Sequence, residues 1–213
     1  MRDDPIAFEL FKNTIFSIAD EMALTICRTT YSGVLRDNMD FSTAFADPDG
    51  LLVAQGLTLP GHLGSIPDAL AVIVERFGAD MVDGDMFIMN DPFDGGMHLP
   101  DIFIFKPIFI EDRRIAFAAT ICHHADVGGR VPGSNASDST EIYQEGLRIP
   151  PMKLFDAGKR NDTIWAIIEK NVRLPVQVFG DLRAQLAASH ARPDEPRARA
   201  GVAHGHAGVH GRR

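Results

Sequence analysis

Cysteine, long apolar runs and the common nucleotide-binding signatures are scarce or missing in this 213-residue sequence. Two cysteines are too few for a disulfide framework, so a reducing cytoplasm is the expected compartment. No apolar run resembles a secretory signal or could span a bilayer. A net charge of −8 disfavours a nucleic-acid partner. Because a Walker loop, a Gly-x-Ser-x-Gly elbow and a dinucleotide fingerprint are also missing, the sequence itself predicts no nucleotide-binding or serine-hydrolase site.

The final stretch of the chain differs in composition from the rest. From His190 to Arg213 there are five arginines, four histidines and two acidic residues, but no Leu, Ile or Phe. Such a segment cannot bury enough apolar surface to order itself. We therefore expect residues 1–189 to fold and residues 190–213 to form a disordered tail, whose composition resembles that of a frameshifted reading frame.

Hydrophobic periodicity predicts a mixture of helices and short strands. The predicted helices run from Pro5 to about Arg28, from Ser65 or Asp68 to Phe77, from Thr163 to Val172 and from Pro175 to Ala188. The strand-like runs are Phe41 to Ala46, Leu51 to Ala54 and Met86 to Met89. Residues 130–151 are rich in Gly, Ser, Asn and Pro, which predicts a long functional or flexible loop. Together these elements predict an α+β fold with antiparallel hairpins.

A further pair of apolar runs predicts a central β-hairpin. Ile102 to Ile110 and Ile115 to Cys122 flank the charged residues 111–114, as expected for two strands and a turn. With Asp112 and Arg113 at the tip, Asp101 would lie across from His124. The polar residues that flank the two runs would then meet at one end of the hairpin.

Histidine and aspartate at this end of the hairpin predict a metal site. Imidazole nitrogens and carboxylate oxygens together suit Mn, Fe, Zn or Ni. The candidate ligands are His98, Asp101 and one of the neighbours His123 and His124, because adjacent strand residues point to opposite faces. The predicted register favours His124, whereas a bulge in the hairpin would favour His123.

Six residues near the predicted ion could orient its ligands or line a substrate pocket. They are Asp91, Asp94, Gly95, Gly96, Asp126 and His62. The carboxylates could hold ligand imidazoles by hydrogen bonds or cap the loop. The glycines could present backbone N–H groups to an oxyanion or make ordinary tight turns. His62 could equally close a turn, so both interpretations stay open at this point.

The polar motifs around the hairpin resemble those of the hydantoinase B/5-oxoprolinase family. The two long motifs are Asn-Asp-Pro-Phe-Asp-Gly-Gly-Met-His-Leu-Pro-Asp at 90–101 and His-His-Ala-Asp-Val-Gly-Gly at 123–129. Asp-Phe-Ser at 40–42 and Pro-Gly-His-Leu-Gly-Ser at 60–65 agree as well. The resemblance extends from about Pro5 to Ala188. Since family members are much longer, we expect this chain to be the N-terminal part of a larger family fold.

The resemblance also implies a cofactor and a partner. The family includes B subunits of ATP-dependent hydantoinases, the matching half of 5-oxoprolinase and the large subunit of acetone and acetophenone carboxylases. By motif it implies a manganese ion, with Zn or Fe as alternatives, on His98, Asp101 and His124, or on His123 in place of His124. It further implies an A-type subunit with an actin-like ATPase fold, which binds ATP and activates a carbonyl by phosphorylation.

The function implied by this resemblance is hydrolytic C–N ring opening of a small cyclic amide. In that interpretation the chain is part of a B-type subunit of an ATP-dependent hydantoinase or 5-oxoprolinase, and is therefore an enzyme. One alternative is a large-subunit fragment of an acetone or acetophenone carboxylase. A second alternative is a non-catalytic remnant that only binds the ATPase partner.

Overall fold

The computed structural model describes residues 4–190, and a seven-stranded antiparallel sheet organises them. The strands are β1 (Phe41–Ala46), β2 (Leu52–Gln55), β3 (Met86–Met89), β4 (Asp101–Ile110), β5 (Arg113–His123), β6 (Met152–Asp156) and β7 (Lys159–Arg160). Their order across the sheet is β2-β1-β5-β4-β3-β6-β7. The long β4–β5 hairpin therefore lies at the centre, with short strands on either side.

Helices cover both faces of this sheet. They are α1 (Pro5–Thr29), α2 (Gly33–Arg36), α3 (Ile66–Phe77), α4 (Asp162–Asn171) and α5 (Pro175–Ala188), with short 3₁₀ helices at Pro60–Ser65, Pro92–Asp94 and Ile142–Gln144. α1 begins where the Asp4 carboxylate accepts hydrogen bonds from the first free backbone N–H groups and Pro5 fits the first turn. The predicted α+β class is confirmed. The sequence interpretation missed β6, β7 and α2.

Successive side chains along each strand point to opposite faces of the sheet, so the hydrophobic core is divided between these two faces. On β4, Phe103 and Phe105 pack with α3 on one face, whereas Ile102 and Ile104 pack with α4 and α5 on the other. α1 covers β1 and β5 on the same side as α5. Each fully buried side chain of this kind stabilises the fold by roughly 2 kcal/mol relative to its exposure. Two-sided burial therefore fixes which face every residue of β4 occupies.

The register of the central hairpin differs from the predicted one. Its tip is formed by Glu111 and Asp112, both with positive φ, which is the turn geometry that suits two-residue hairpins. Farther from the tip Ile108 pairs with Ala116, so β5 carries one extra residue, Ile115, in a bulge. Beyond the bulge Asp101 pairs with His123. The predicted pairing of Asp101 with His124 is wrong by one residue.

Two further sequence predictions concern membrane-spanning segments and the C-terminal tail. No helix within residues 4–190 has both the length and the apolar character to cross a membrane. The predicted disorder of the C-terminal tail concerns residues that lie, from position 191 onward, outside the described range.

Candidate metal centre

Three potential metal ligands meet where β4 begins and β5 ends. The Asp101 Oδ1 atom lies 2.9 Å from His98 Nε2 and 3.0 Å from His123 Nδ1. The two ring nitrogens are 3.2 Å apart. Donors that bind one ion through bonds of about 2.1 Å lie roughly 3 to 3.4 Å from one another. Spacing and donor chemistry therefore both fit a divalent transition metal, and no other His, Cys, Asp or Glu triplet this compact occurs within residues 4–190.

The strand register explains how the three side chains come together. Asp101 and His123 are directly paired across the hairpin, and paired residues project from the same face of the sheet. Here that face is the one covered by α3, which Phe103 and Ile121 also occupy. The backbone N–H of Asp101 donates to the carbonyl of His98 at 3.0 Å, so a tight turn places His98 over the strand end.

The cluster has a buried side and an open side. The Asp101 side chain is 1% exposed and that of His123 is 17% exposed, whereas 41% of the His98 side chain is accessible. The carboxylate thus forms the floor of the site. The accessible side of the cluster is therefore the side on which His98 lies.

His124 lies on the opposite face of the sheet, away from this cluster. It is completely buried, and its Nε2 donates to the Gln185 side-chain oxygen at 2.9 Å. The Gln185 amide nitrogen in turn donates to the carbonyl of Ile102, which fixes the orientation of the amide. Burial lowers the pKa of His124, so the ring is held neutral. The geometry therefore favours His123 over His124 as the third ligand, and ion binding itself stays a prediction.

Electrostatics inside the cluster favour an ionised carboxylate. Burial alone would raise the pKa of Asp101, but hydrogen bonds from His123 and His98 outweigh it and lower that pKa to about 2. The hydrogen bond to Asp101 is also the main reason why the pKa of His98 is raised above its ordinary value of 6.5. The ionised Asp101 carboxylate thus favours a positive charge beside it, which a proton on His98 or a bound cation could supply.

His62 and Asp40 extend the polar cluster toward β1. His62 is buried, and its Nε2 lies 3.5 Å from Asp40 Oδ1 and 3.8 Å from Asp101 Oδ2. Its Nδ1 is 3.0 Å from Ser42 Oγ, which itself donates to the carbonyl of Leu59. The ring therefore lies between Ser42 on its Nδ1 side and the two carboxylates on its Nε2 side, and the pocket-lining role of His62 stays a prediction. Asp40 was missed, although it belongs to a motif that carried the family resemblance.

The loop between β3 and β4 is shaped by close packing. Asp91 Oδ1 accepts a hydrogen bond from the backbone N–H of Phe93 at 3.0 Å, as a loop-capping residue does. Gly95 has a positive φ, and a Cβ there would lie 2.7 Å from the backbone of α3. The N–H of Gly96 donates to the carbonyl of Asp91 and is thus not open to an oxyanion. For these residues the structure favours the turn-forming interpretation, and Asp94 lies in the same turn, where its N–H donates to the Asp91 carbonyl.

Asp126 stabilises a different part of the chain. Its buried carboxylate accepts hydrogen bonds from the backbone N–H and the guanidinium of Arg173, the latter at 2.8 Å. It also lies 3.3 Å from the N–H of Gly128. These contacts join the segment after β5 to the connection between α4 and α5. Asp126 thus has a structural role that its motif position did not reveal.

Asn90 ties the metal-site loop to the segment before β6, a role that the sequence interpretation missed. The side chain donates to the carbonyls of Leu99 and Leu147 at 2.7 and 2.9 Å. Its oxygen accepts from the N–H of Ile149 at 2.6 Å. All three bonds are buried or partly buried, so residues 147–149 are held beside the loop that carries His98.

Comparison with known proteins identifies the family of the chain. The family model described as hydantoinase B/oxoprolinase matches residues 4–195. An uncharacterised protein of Methanocaldococcus jannaschii is 41% identical over 188 residues, which cover 87% of this chain and 33% of the relative. The 5-oxoprolinase of Dictyostelium discoideum is 36% identical over 188 residues, which cover 88% of this chain and 15% of the relative.

The fold is also shared with a solved structure. The crystal structure of ATP-dependent caprolactamase from Pseudomonas jessenii matches with a TM-score of 0.81 at 34% identity, over 87% of this chain and 32% of that one. The chain therefore spans a third or less of the length of these relatives. Since the family model matches all of the described residues, the chain belongs to the hydantoinase B/oxoprolinase family.

Proposed function

We propose that this chain is the metal-bearing part of a B-type subunit that opens a small cyclic amide in an ATP-dependent reaction. The observation that carries the proposal is the convergence of His98, Asp101 and His123 on one compact set of donors. The names of two relatives, 5-oxoprolinase and ATP-dependent caprolactamase, both denote enzymes of cyclic amides. A lactam carbonyl next to such a centre is the substrate group that this chemistry suits.

The residues of the cluster would have different roles in the proposed reaction. His98, Asp101 and His123 would hold a divalent ion, Mn in first place and Zn or Fe as alternatives, which supplies Lewis-acid polarisation of a carbonyl or an ionised water. Asp101 stays negatively charged at neutral pH because the pKa of its carboxyl is about 2. His62, buried against Asp101 Oδ2, limits the rotation of that carboxylate.

ATP would be bound by a partner subunit. The sequence contains no nucleotide-binding loop, whereas the caprolactamase is ATP-dependent by name. We therefore assign ATP to an A-type subunit with an actin-like ATPase fold, which would activate the amide carbonyl. The accessible side of the cluster, where His98 lies, is where the activated substrate would be received.

The proposal is tested by metal analysis combined with turnover. The purified 213-residue chain, stripped with chelator and titrated with Mn²⁺, should bind about one ion per chain. Mixed with a candidate A subunit, ATP and a lactam, it should release the ring-opened product. Failure of both Mn²⁺ and Zn²⁺ to bind would contradict the metal centre. Metal binding without ATP-dependent turnover would indicate a non-catalytic remnant.

Manganese affinity should increase with pH. A protonated imidazole cannot bind a metal, and Asp101 raises the pKa of His98 above 6.5, so proton competition begins at a higher pH than for an isolated histidine. Asp101 stays ionised over this range and does not contribute. Calorimetric titrations at about pH 8 and about pH 6 should show weaker binding at the lower pH. Equal affinity at both values would contradict the assignment of His98 as a ligand.

A further inference from the structure

Of the three candidate donors, His98 alone lies outside the strands of the sheet. β4 begins at Asp101 and β5 ends at His123, so the pairing of the hairpin fixes the backbone of the other two donors. His98 belongs to the loop between β3 and β4, and its side chain is 41% exposed. The position of its ring therefore depends on what holds the backbone of this loop.

The loop backbone is anchored on both sides of the peptide bond that follows His98. The carbonyl of His98 accepts from the N–H of Asp101 at 3.0 Å. The next carbonyl, that of Leu99, accepts from the Asn90 side-chain nitrogen at 2.7 Å. The Leu99 side chain is completely buried and packs in the core on the α4 and α5 side of the sheet. The anchor of the Leu99 carbonyl is thus a single side chain, that of Asn90.

The Asn90 side chain has a fixed position and a fixed orientation. Asn90 directly follows β3 and is completely buried. Its Nδ2 also donates to the carbonyl of Leu147 at 2.9 Å, and its Oδ1 accepts from the N–H of Ile149 at 2.6 Å. Because carbonyls only accept and backbone N–H groups only donate, a flipped amide would lose all of these bonds. An ionised aspartate has the same shape but no donor, so the position requires an amide.

We propose that Asn90 is a positioning residue of the metal centre, which holds His98 at the distance from the other two donors that binding of one ion requires. This inference rests on the proposed function, because it concerns the ligands of the ion assigned there. Asn90 acts through the backbone of Leu99 and does not itself bind the ion. A residue that only stabilised the fold would change the free energy of unfolding and leave the ligand set as it is.

The experiment measures manganese affinity and the coordination of imidazole rings. The 213-residue chain, Asn90→Ala and Asn90→Asp are stripped with chelator and titrated calorimetrically with Mn²⁺. Loss of a group that orients a ligand costs about 10–100-fold in metal affinity. Since Asn90 acts through the backbone, both variants should lie at the lower end of this range and bind about tenfold more weakly. Pulsed electron paramagnetic resonance at saturating Mn²⁺ should detect two coordinated rings in the unmodified chain and a reduced contribution of the second ring in both variants.

Two further variants separate positioning from folding. Asn161→Ala is the matched control, because the Asn161 side chain also donates to a backbone carbonyl, that of Lys153 at 3.1 Å, but joins β6 to the start of α4. Its loss should leave manganese affinity unchanged. Asn90→Ser retains one hydroxyl donor, so it should bind Mn²⁺ more tightly than Asn90→Ala. Circular dichroism establishes that each protein is folded before titration, and if Asn90→Ala does not fold, Asn90→Asp and Asn90→Ser provide the comparison.

The outcomes distinguish this inference from the proposed function. Unchanged manganese affinity in the folded Asn90 variants, or weaker binding with the signals of both imidazole rings unaltered, would overturn the positioning role and leave the metal centre intact. Equal weakening in Asn161→Ala would also overturn it, since the effect would then follow from lower stability. Failure of the unmodified chain to bind either Mn²⁺ or Zn²⁺ would overturn the metal centre and this inference with it.

Discussion

His123→Ala is expected to abolish tight manganese binding, whereas His124→Ala should leave it nearly unchanged. His123 Nδ1 lies 3.0 Å from Asp101 Oδ1 and 3.2 Å from His98 Nε2, so its removal leaves only two donors. Loss of a group that merely orients a ligand costs about 10–100-fold in metal affinity, and loss of a ligand should exceed this range. Isothermal titration of both variants with Mn²⁺ measures the difference.

The two variants serve as controls for each other. His124→Ala removes a buried ring and leaves the Gln185 oxygen without its donor, so it should lower the free energy of unfolding by about 2 kcal/mol. Circular dichroism should show that both proteins are folded before titration. A folded His124→Ala protein without manganese binding, or a His123→Ala protein with full affinity, would favour the ligand set based on the originally predicted register.

Asp126→Ala is expected to be among the most destabilising substitutions in the chain. It would leave the Arg173 guanidinium and the Arg173 N–H without their buried acceptor. Removal of one partner of a buried ion pair typically costs about 3–5 kcal/mol. Since the Arg173 side chain is partly exposed, we expect about 3 kcal/mol, measured by urea denaturation followed by tryptophan fluorescence.

The matched control for this substitution is Asp138→Ala. Asp138 also pairs with an arginine, Arg130, but on the surface, where such pairs contribute little. The melting temperature of the Asp138→Ala protein should hardly differ from that of the unmodified chain. If Asp126→Ala were as stable as Asp138→Ala and had lost manganese binding, the predicted role of Asp126 in orienting the metal ligands would be correct instead.

Most helices and strands could be predicted because their signals are local. α1 and α5 begin at prolines that suit a first helical turn, and β3 is a short apolar run. β6 was missed since it is short, contains Lys153 and directly follows two prolines. β6 pairs with β7 and with the edge of β3, and β3 lies more than sixty residues earlier in the chain.

The site was predicted in its composition but not in its register. The tip residues Glu111 and Asp112 adopt positive φ without the Asn-Gly or Asp-Gly sequence that marks such turns. Nothing in the local sequence marks Ile115 as a bulge. Asp40 was missed because its proximity depends on strand pairing: its carbonyl accepts from the N–H of His123 at 3.0 Å, across β1 and β5.

The central position of β4 and β5 determines how much conformational entropy the ligand side chains would lose if the proposed ion binds. β5 is paired on both sides from Phe117 to Cys122, so the backbone amides that lead to His123 are locked in two ladders. Asp101 is anchored by the same hairpin and lies at the bottom of the cluster. Folding itself therefore immobilises two of the three candidate donors, Asp101 and His123. If the proposed ion binds, the conformational freedom still to be lost would be mainly that of the more exposed His98 side chain.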